Sequence, residues 1–385
     1  MKIAYFTESL YPHVDGVSRT LARLFKTLEE RGEDFLVFSP FMPGPDVSWR
    51  GRVRHVPFVR FPLYPDYRIS LPLVSRSVSD QLGEFRPDLV HLVSPTPMAI
   101  WAQRWARKNR VPAVASFHTH FVSYFRYYGV PWLEGGGWRA LRRFYARTSR
   151  VYAPSWSIIR ELQSQHIADV ELWSRGIDLT GFSPSFRDER LRLEIGATEQ
   201  TPLILLVSRL VKEKDLADLV EMNRILSQRR VSYRLALVGD GPMRSELEAQ
   251  LPEAVFAGHQ TGPDLARWYA SADIFVFPST TETLGNVVLE SLASGVPAIV
   301  VDQGGPQDLI RSGENGFVVR SNTPVELADR AELLLTDSDL RSHMAVAASS
   351  SALERDWSEI NGLLLDSYRT VIREARSAER PLESR

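Results

Sequence analysis

The feature that most constrains this chain is a set of short runs that are apolar on successive residues, where a half-buried strand would alternate. The first series is KIAYF, DFLVFSP, DLVHLVSP, PAVASFH and RVYAPS; the second is PLILLVSR, YRLALVGDG, AVFAGH, DIFVFPS, PAIVVDQGG and GFVVR. A strand apolar on both faces must be covered on both faces, which is the signature of a parallel sheet. Longer helical stretches separate the runs, so the chain reads as two series of β/α units. Between them lies LTGFSPSFRDERLRLEIGATEQT, charged and without a periodic apolar face, which sets a boundary near residues 177–200. Near the end, DWSEINGLLLDSYRTVIREA has helical apolar spacing, and RSAERPLESR reads as a frayed tail.

The 385 residues suffice for two domains, and 46 basic against 47 acidic side chains leave a net charge of -1. No global attraction for nucleic acid or anionic membrane follows, so any such affinity needs a local patch. The lack of cysteine excludes disulfides, thiolate nucleophiles and thiolate metal sites. MKIAYFTESLYPH turns polar too early for a secretion signal, and no apolar run approaches about twenty residues. The expectation is a cytoplasmic protein of enzyme size.

A doubly wound sheet presents its ligand loops at the carboxyl ends of its strands. After KIAYF, Gly16 precedes an amphipathic helix expected to begin near Val17 or Ser18. It either admits an anion to amides at the positive helix end or serves as a turn glycine. G-x-G-x-x-G does not follow this strand and G-x-x-x-x-G-K-[ST] is absent, which weighs against a dinucleotide oxidoreductase and a P-loop phosphotransferase. After PAVASF, His118 and His120 stand one residue apart on an extended segment and so point to opposite faces, poorly placed to share a metal. His118 could contact a polar substrate or donate a proton near neutral pH, or simply bond backbone at a strand end.

Arg209, Lys212 and Lys214 follow PLILLVS and suit a pyrophosphate, or form a solvated charge run. Gly239, Asp240 and Gly241 could admit a base or ribose to the backbone; a simple turn explains them equally. In FPSTTETLGNVVLESLASGVPAIVVDQGG, residues 277–305, Glu282 and Glu290 stand eight positions apart. If that whole span were helical it would rise roughly 12 Å. A glycosidase pair needs about 5–9.5 Å. The spacing therefore fits two arms on one long ligand, with hydroxyls at the carboxylates and phosphate oxygens at the amides of Thr283, Leu284, Gly285 and Asn286.

With those residues in view, STTETLGNVVLESLASGVPAIVVDQGG resembles the Glu-seven-residues-Glu signature of retaining family-4 glycosyltransferases, and VDGVSRTL, SRGID, VSRLVKEKD and LVGDGP stand in that family's order. The resemblance covers nearly the whole chain. It implies an α/β chain of GT-B architecture: two Rossmann-like, doubly wound domains facing a central cleft. An acceptor-binding domain would span 1–176 and a nucleotide-sugar-binding domain 177–357, with a helix near 358–378 returning to the first. The donor would be a nucleotide-diphosphate sugar. Arg209 and Lys214 would take its diphosphate, Glu290 the ribose and Glu282 the sugar hydroxyls. Thr283, Leu284, Gly285 and Asn286 would lie beside sugar and diphosphate, Gly16 near the phosphates, and His118 near the reacting face. Gly239 completes the implied donor set; His118, Arg209, Lys214 and Glu282 form the implied catalytic set. Transfer would proceed by same-face substitution with retained configuration, the leaving phosphate helping to deprotonate the incoming hydroxyl while the cations stabilise the departing charge. Neither a metal nor another cofactor is expected.

The acceptor is less legible. RYYGVPWLEGGGWRALRRFYARTSR, residues 126–150, combines six arginines with Trp132 and Trp138. It suits an anionic membrane surface, with the protein peripheral on the inner face, or an ordinary exposed helix with packed aromatics. FPLYPDYRISLPL and SFHTHFVSYFRYYG resemble bacterial sulfoquinovosyltransferases, whereas RGIDLTGFSP resembles GDP-mannose-dependent α-mannosyltransferases. Both imply hexosyl transfer to a lipid or glycoside acceptor, leave UDP-sugar and GDP-mannose open, and involve no nucleic acid. Two other classes stay open: a nucleotide-sugar epimerase on the same scaffold, and a noncatalytic nucleotide-sugar-binding module.

Overall fold

The computed structural model describes residues 1–61, 64–127 and 129–378. The tail expectation lies outside the described residues from 379 onward, as do residues 62 and 63 of FPLYPDYRISLPL and Tyr128 of RYYG. The described chain divides into two compact units. One contains Met1–Val122, Trp132–Ser174 and the chain from Trp357; the other contains Ser123–Pro131 and Arg175–Asp356.

The first unit holds strands β1 (Lys2–Phe6), β2 (Asp34–Ser39), β3 (Val53–His55), β4 (Phe58–Phe61), β5 (Tyr64–Ser70), β6 (Leu89–Leu92), β7 (Ala113–Ser116), β8 (Arg150–Ala153) and β9 (Val170–Leu172). Seven form one sheet in the order β3, β2, β1, β6, β7, β8, β9, parallel throughout, and β4 with β5 makes a separate antiparallel hairpin. Both faces are dry. Ala4 and Phe6 point toward Met98, Ala102 and Leu162, while Ile3 and Tyr5 point toward Leu24, Phe25, Leu365 and Tyr368. The helix Trp357–Ala378 buries Leu364, Leu365, Tyr368, Val371 and Ile372, a helical stripe that covers the second face. Its Tyr368 hydroxyl meets Nδ1 of His91 at 2.5 Å, and Ser116 Oγ meets Nε2 at 2.9 Å. Burial pushes the pKa of this strand histidine down to about 3.

The second unit holds β10 (Leu203–Val207), β11 (Arg234–Val238), β12 (Val255–Gly258), β13 (Ile274–Phe277), β14 (Ala298–Val301) and β15 (Gly316–Val319). They form a parallel sheet in the order β12, β11, β10, β13, β14, β15. Helices Leu216–Gln228 and Pro324–Thr336 cover one face, Gly262–Ser271 and Asn286–Ala293 the other. The division at Ser174 comes ahead of the charged segment that reads as a boundary. That segment packs on the second unit through Phe182, Leu191, Ile195 and Ala197 and through polar ties that a hydrophobic pattern does not reveal. Arg192 is buried and bonds Asp273 at 2.7 Å, and Asp188 pairs with Arg267 at 2.5 Å.

Strand order reverses at β1 and β6 in the first sheet and at β10 and β13 in the second. Flanking loops leave such a point in opposite directions and open a crevice at the carboxyl ends of the strands. The residues beyond those ends therefore locate the site.

Candidate functional site

In the first unit, the helix Gly16–Glu30 begins at Gly16 itself. Asp15 caps it in a reciprocal capping box with Ser18: its carboxylate accepts from Ser18 N at 2.7 Å and Ser9 Oγ at 2.6 Å. Burial would raise the Asp15 pKa, but bonds from His13, Ser18 and Ser9 outweigh it and hold the carboxyl below its ordinary value. One first-turn amide near Gly16 is thus already given to an internal anion. Just before this loop, Glu8 is only 3% exposed and its Oε2 has no hydrogen-bond partner among the described residues. Burial raises its pKa to about 7, against the opposing hydroxyls of Thr96 and Ser70.

The two histidines after β7 part company. His118 stacks edge-on against Trp173 at 5.4 Å between centroids. His120 bonds Glu161 at 2.5 Å and packs edge-on to Phe117 and Trp138. Different neighbours hold the two imidazoles, and no cluster of three or more His, Asp or Glu suited to a metal occurs among the described residues.

In the second unit, the loop after β10 carries Arg209, whose side chain is 57% exposed and lies 3.5 Å from the buried Glu213. Lys212 is exposed, whereas Lys214 is only 6% exposed and its ammonium is ion-paired with Glu282. That pair belongs to a longer seam between the loops after β10 and β13. Ser279 and Thr281 donate to the Glu213 carbonyl at 3.4 and 2.9 Å, and Thr280 donates its N–H and hydroxyl to Asp215 at 2.9 and 2.7 Å. Four consecutive residues, 279–282, thereby bind three consecutive residues, 213–215. Their arrangement fixes a cation and a carboxylate side by side at the switch point of the sheet.

Two glycine turns support this seam. A Cβ on Gly239, at φ 133°, would collide with the Ser208 carbonyl, so its close neighbour is the backbone that carries Arg209. Beyond β14, Gly305 donates to the Glu282 carbonyl at 2.8 Å, and a Cβ on it would collide with Thr283. Sequence pattern alone does not single out Gly305 or the seam partners Glu213, Asp215 and Thr280; the double glycine in VDQGG after a strand is the one available signal.

The helix Asn286–Ala293 starts after Gly285, which adopts φ 90° and, as a glycine, has no side chain to cap it. Thr283 and Leu284 lead into it, Leu284 buried, and Asn286 opens its first turn. Only the stretch from Asn286 to Glu290 is helical, an axial rise of about 6 Å, so the all-helical 12 Å span does not apply. Glu290 is buried, and its Oε2 accepts from the Tyr269 hydroxyl at 2.9 Å. Glu282 and Glu290 thus serve different neighbours, Lys214 and Tyr269. Between them lies a helix start capped by a glycine, and the positive end of a helix favours an anion.

In the 126–150 segment, the helix Glu134–Tyr145 buries Phe144 and Tyr145 and packs Trp138 and Leu141 on the first core. Trp132 is 73% exposed, and Arg139 and Arg143 are exposed as well. No helix among the described residues is long and apolar enough to cross a membrane.

Comparison with known proteins adds an independent result. The family description Glycosyltransferase Family 4 matches residues 14–180, and Glycosyl transferases group 1 matches residues 188–350. Over 377 residues the chain is 35% identical to a GDP-mannose-dependent alpha-mannosyltransferase of Mycolicibacterium smegmatis, covering 97% of this chain and 98% of that one. It is 31% identical over 366 residues to a sulfoquinovosyl transferase of Arabidopsis thaliana, covering 92% and 71%. Among solved structures, the Anabaena HepE protein in complex with UDP aligns with a TM-score of 0.76 at 21% identity, covering 96% of this chain and 100% of that one, a likeness of fold.

Proposed function

The chain belongs to the family-4 glycosyltransferases, enzymes of GT-B fold, and on that premise we propose that it moves a hexosyl group, with retention, from a nucleotide-diphosphate sugar to a lipid-linked hydroxyl. The observation that carries this reading is the seam between residues 213–215 and 279–282, which sets Lys214 against Glu282 beside a helix start at Gly285.

In the proposed reaction, Arg209 and Lys214 bind the diphosphate and stabilise the charge that grows on it as the glycosidic bond breaks. Each cation already faces a carboxylate, Glu213 or Glu282. Donor entry exchanges one anion for another at Lys214 and frees Glu282 to accept from sugar hydroxyls. Asn286 and the amides of the turn from Thr283 through Leu284 to Gly285 receive phosphate oxygens. Glu290, steadied by Tyr269, takes ribose hydroxyls. Gly239 shapes the Arg209 loop. The family resemblance assigns Gly16 to the phosphates and His118 to the reacting face of the sugar. The leaving phosphate oxygen accepts the proton of the incoming hydroxyl, so the atoms balance without a protein nucleophile.

The identity to a GDP-mannose-dependent enzyme supports GDP-mannose as the first donor to test. The UDP complex of a protein with this fold keeps UDP-sugars in the panel. We further propose peripheral docking on an anionic inner membrane face through Trp132 and the arginines of the helix Glu134–Tyr145.

The test is incubation of purified protein with labelled GDP-mannose and UDP-sugars together with a lipid extract. Label moved into lipid with retained configuration is the expected result. A new free nucleotide sugar without acceptor would mean epimerisation, and binding without turnover would mean a noncatalytic module; either overturns the reading.

A further inference from the structure

We propose that Tyr127 is a positioning residue for sugar transfer, acting through Asp215 and Thr280 on the seam that carries Lys214 and Glu282. The inference rests on the glycosyltransferase reading and goes beyond it by adding a residue that touches neither donor nor acceptor.

Tyr127 ends the helix Phe121–Tyr127, far from residues 213–282 in sequence, yet residues 123–131 belong to the second unit. Its hydroxyl donates to Asp215 Oδ1 at 2.8 Å and lies 2.8 Å from Thr280 Oγ1. The other Asp215 oxygen takes both the N–H and the hydroxyl of Thr280. Three oxygen contacts thus share two hydroxyl protons around one carboxylate, so the triangle holds only while the phenol keeps its proton. Burial raises the phenol pKa to about 12, and the neighbouring Asp215 and Glu213 charges act in the same direction against the Thr280 bond. The phenol therefore remains a donor throughout the neutral range.

What the triangle fixes is the backbone at Asp215. That residue sits at φ 52°, ψ 37°, in the left-handed region, between Lys214 and the helix Leu216–Gln228. A non-glycine residue keeps such a conformation when its surroundings determine it. Here the determinants are Tyr127 and Thr280, and the residue immediately before Asp215 is the buried cation paired with Glu282. Removing the Tyr127 hydroxyl takes one donor from Asp215 while leaving the ring in place. The loss should fall on the sugar and diphosphate and spare the ribose, since Glu290 and Tyr269 are held by bonds elsewhere.

The decisive variant is Tyr127→Phe, measured beside Asp215→Asn and the double variant. Calorimetry gives Kd for UDP, GDP, UDP-glucose and GDP-mannose, and transfer assays with the lipid extract give kcat and KM. For Tyr127→Phe, free-nucleotide Kd should rise only severalfold, through Lys214, while kcat falls about tenfold and the preference for sugar nucleotide over free nucleotide shrinks. The Asp215→Asn loss should not multiply with it, because both changes break one network. A purely structural role would lower Tm and leave kcat per folded molecule unchanged; that result, or fully multiplicative losses, overturns the proposal. If Asp215→Asn fails to fold, Thr280→Val takes its place. A parent protein that binds no nucleotide sugar defeats the glycosyltransferase reading and this inference together. A parent that transfers sugar, with Tyr127→Phe matching it, defeats the inference alone.

Discussion

The hydroxyl of Tyr269 donates to Oε2 of Glu290 across 2.9 Å, from a tyrosine that is fully buried to a carboxylate that is nearly so. Tyr269 stands on the helix Gly262–Ser271 and is wedged edge-on against Phe182, at 5.7 Å between centroids. A rigid phenol thereby selects the direction of a flexible acid. Tyr269→Phe should weaken nucleotide-diphosphate binding by about 1 kcal/mol, the usual worth of one hydrogen bond. Glu290→Ala should cost more, because it removes the acceptor as well. Isothermal titration with GDP and UDP decides the matter, and unchanged affinity in Tyr269→Phe would show that the bond steers nothing.

Glycine substitutions should separate by what surrounds them. Alanine at Gly239 or Gly305 drives a Cβ into the carbonyl of Ser208 or Thr283 and must shift the loops that carry Arg209 and Glu282. Both variants should lose donor turnover by about tenfold or more, an effect of misplaced groups. Gly83 lies in the helix Ser75–Phe85 with open space where an alanine methyl would sit, so Gly83→Ala should stabilise by about 0.4–1 kcal/mol. Steady-state kinetics and thermal melting on the three proteins test the contrast.

Stability should fall as pH rises from about 4.5 to 7 because of Glu8. Burial raises its folded pKa from the ordinary 4.5 to about 7. The folded chain then holds a proton that the unfolded chain has released. The contribution is complete below about pH 4.5, declines as pH rises, and is lost above about 7, amounting to about 3 kcal/mol. Glu8→Gln should flatten this slope and melt higher than the parent at alkaline pH. Identical melting profiles for the two proteins from acid to alkaline pH would remove Glu8 as the cause.

Charge at the exposed helix should govern vesicle binding. Replacing Arg139, Arg142 and Arg143 together should release the protein from anionic liposomes, each arginine near the surface being worth about 1 kcal/mol. Added salt should mimic the substitution in the parent. Cosedimentation measures both, and an unaltered bound fraction would leave the patch as a solvated face.

Much of this architecture can be read from local pattern. LILLV and AIVV are apolar along their whole length and become strands buried on both faces, and the stripe ending in Tyr368, Val371 and Ile372 becomes a covering helix. The carboxyl ends of LILLV and of the strand IFVF also point to Arg209, Lys214 and Glu282. Pairings across long separations leave no such mark. Lys214 and Glu282 are 68 positions apart, and Tyr127 reaches Asp215 across 88. The tie of Arg192 to Asp273 sits inside a stretch whose charges resemble those of a solvated linker. Gly239 reads equally as room for a ligand or as a simple turn, and its tight contact with the Ser208 carbonyl is one no local pattern discloses. Local sequence records what each element buries; polar partners are chosen only once the sheet order brings distant loops together.

The closing helix also imposes a schedule on synthesis. Everything from Arg175 to Asp356 leaves the ribosome before Trp357–Ala378 does, so the second unit can be finished while the first still lacks its cover over Ile3, Tyr5 and Phe25. The half made earliest is completed last. Nascent chains must carry that greasy flank uncovered through most of translation, and the polar clasp between Tyr368 and His91 is the final latch.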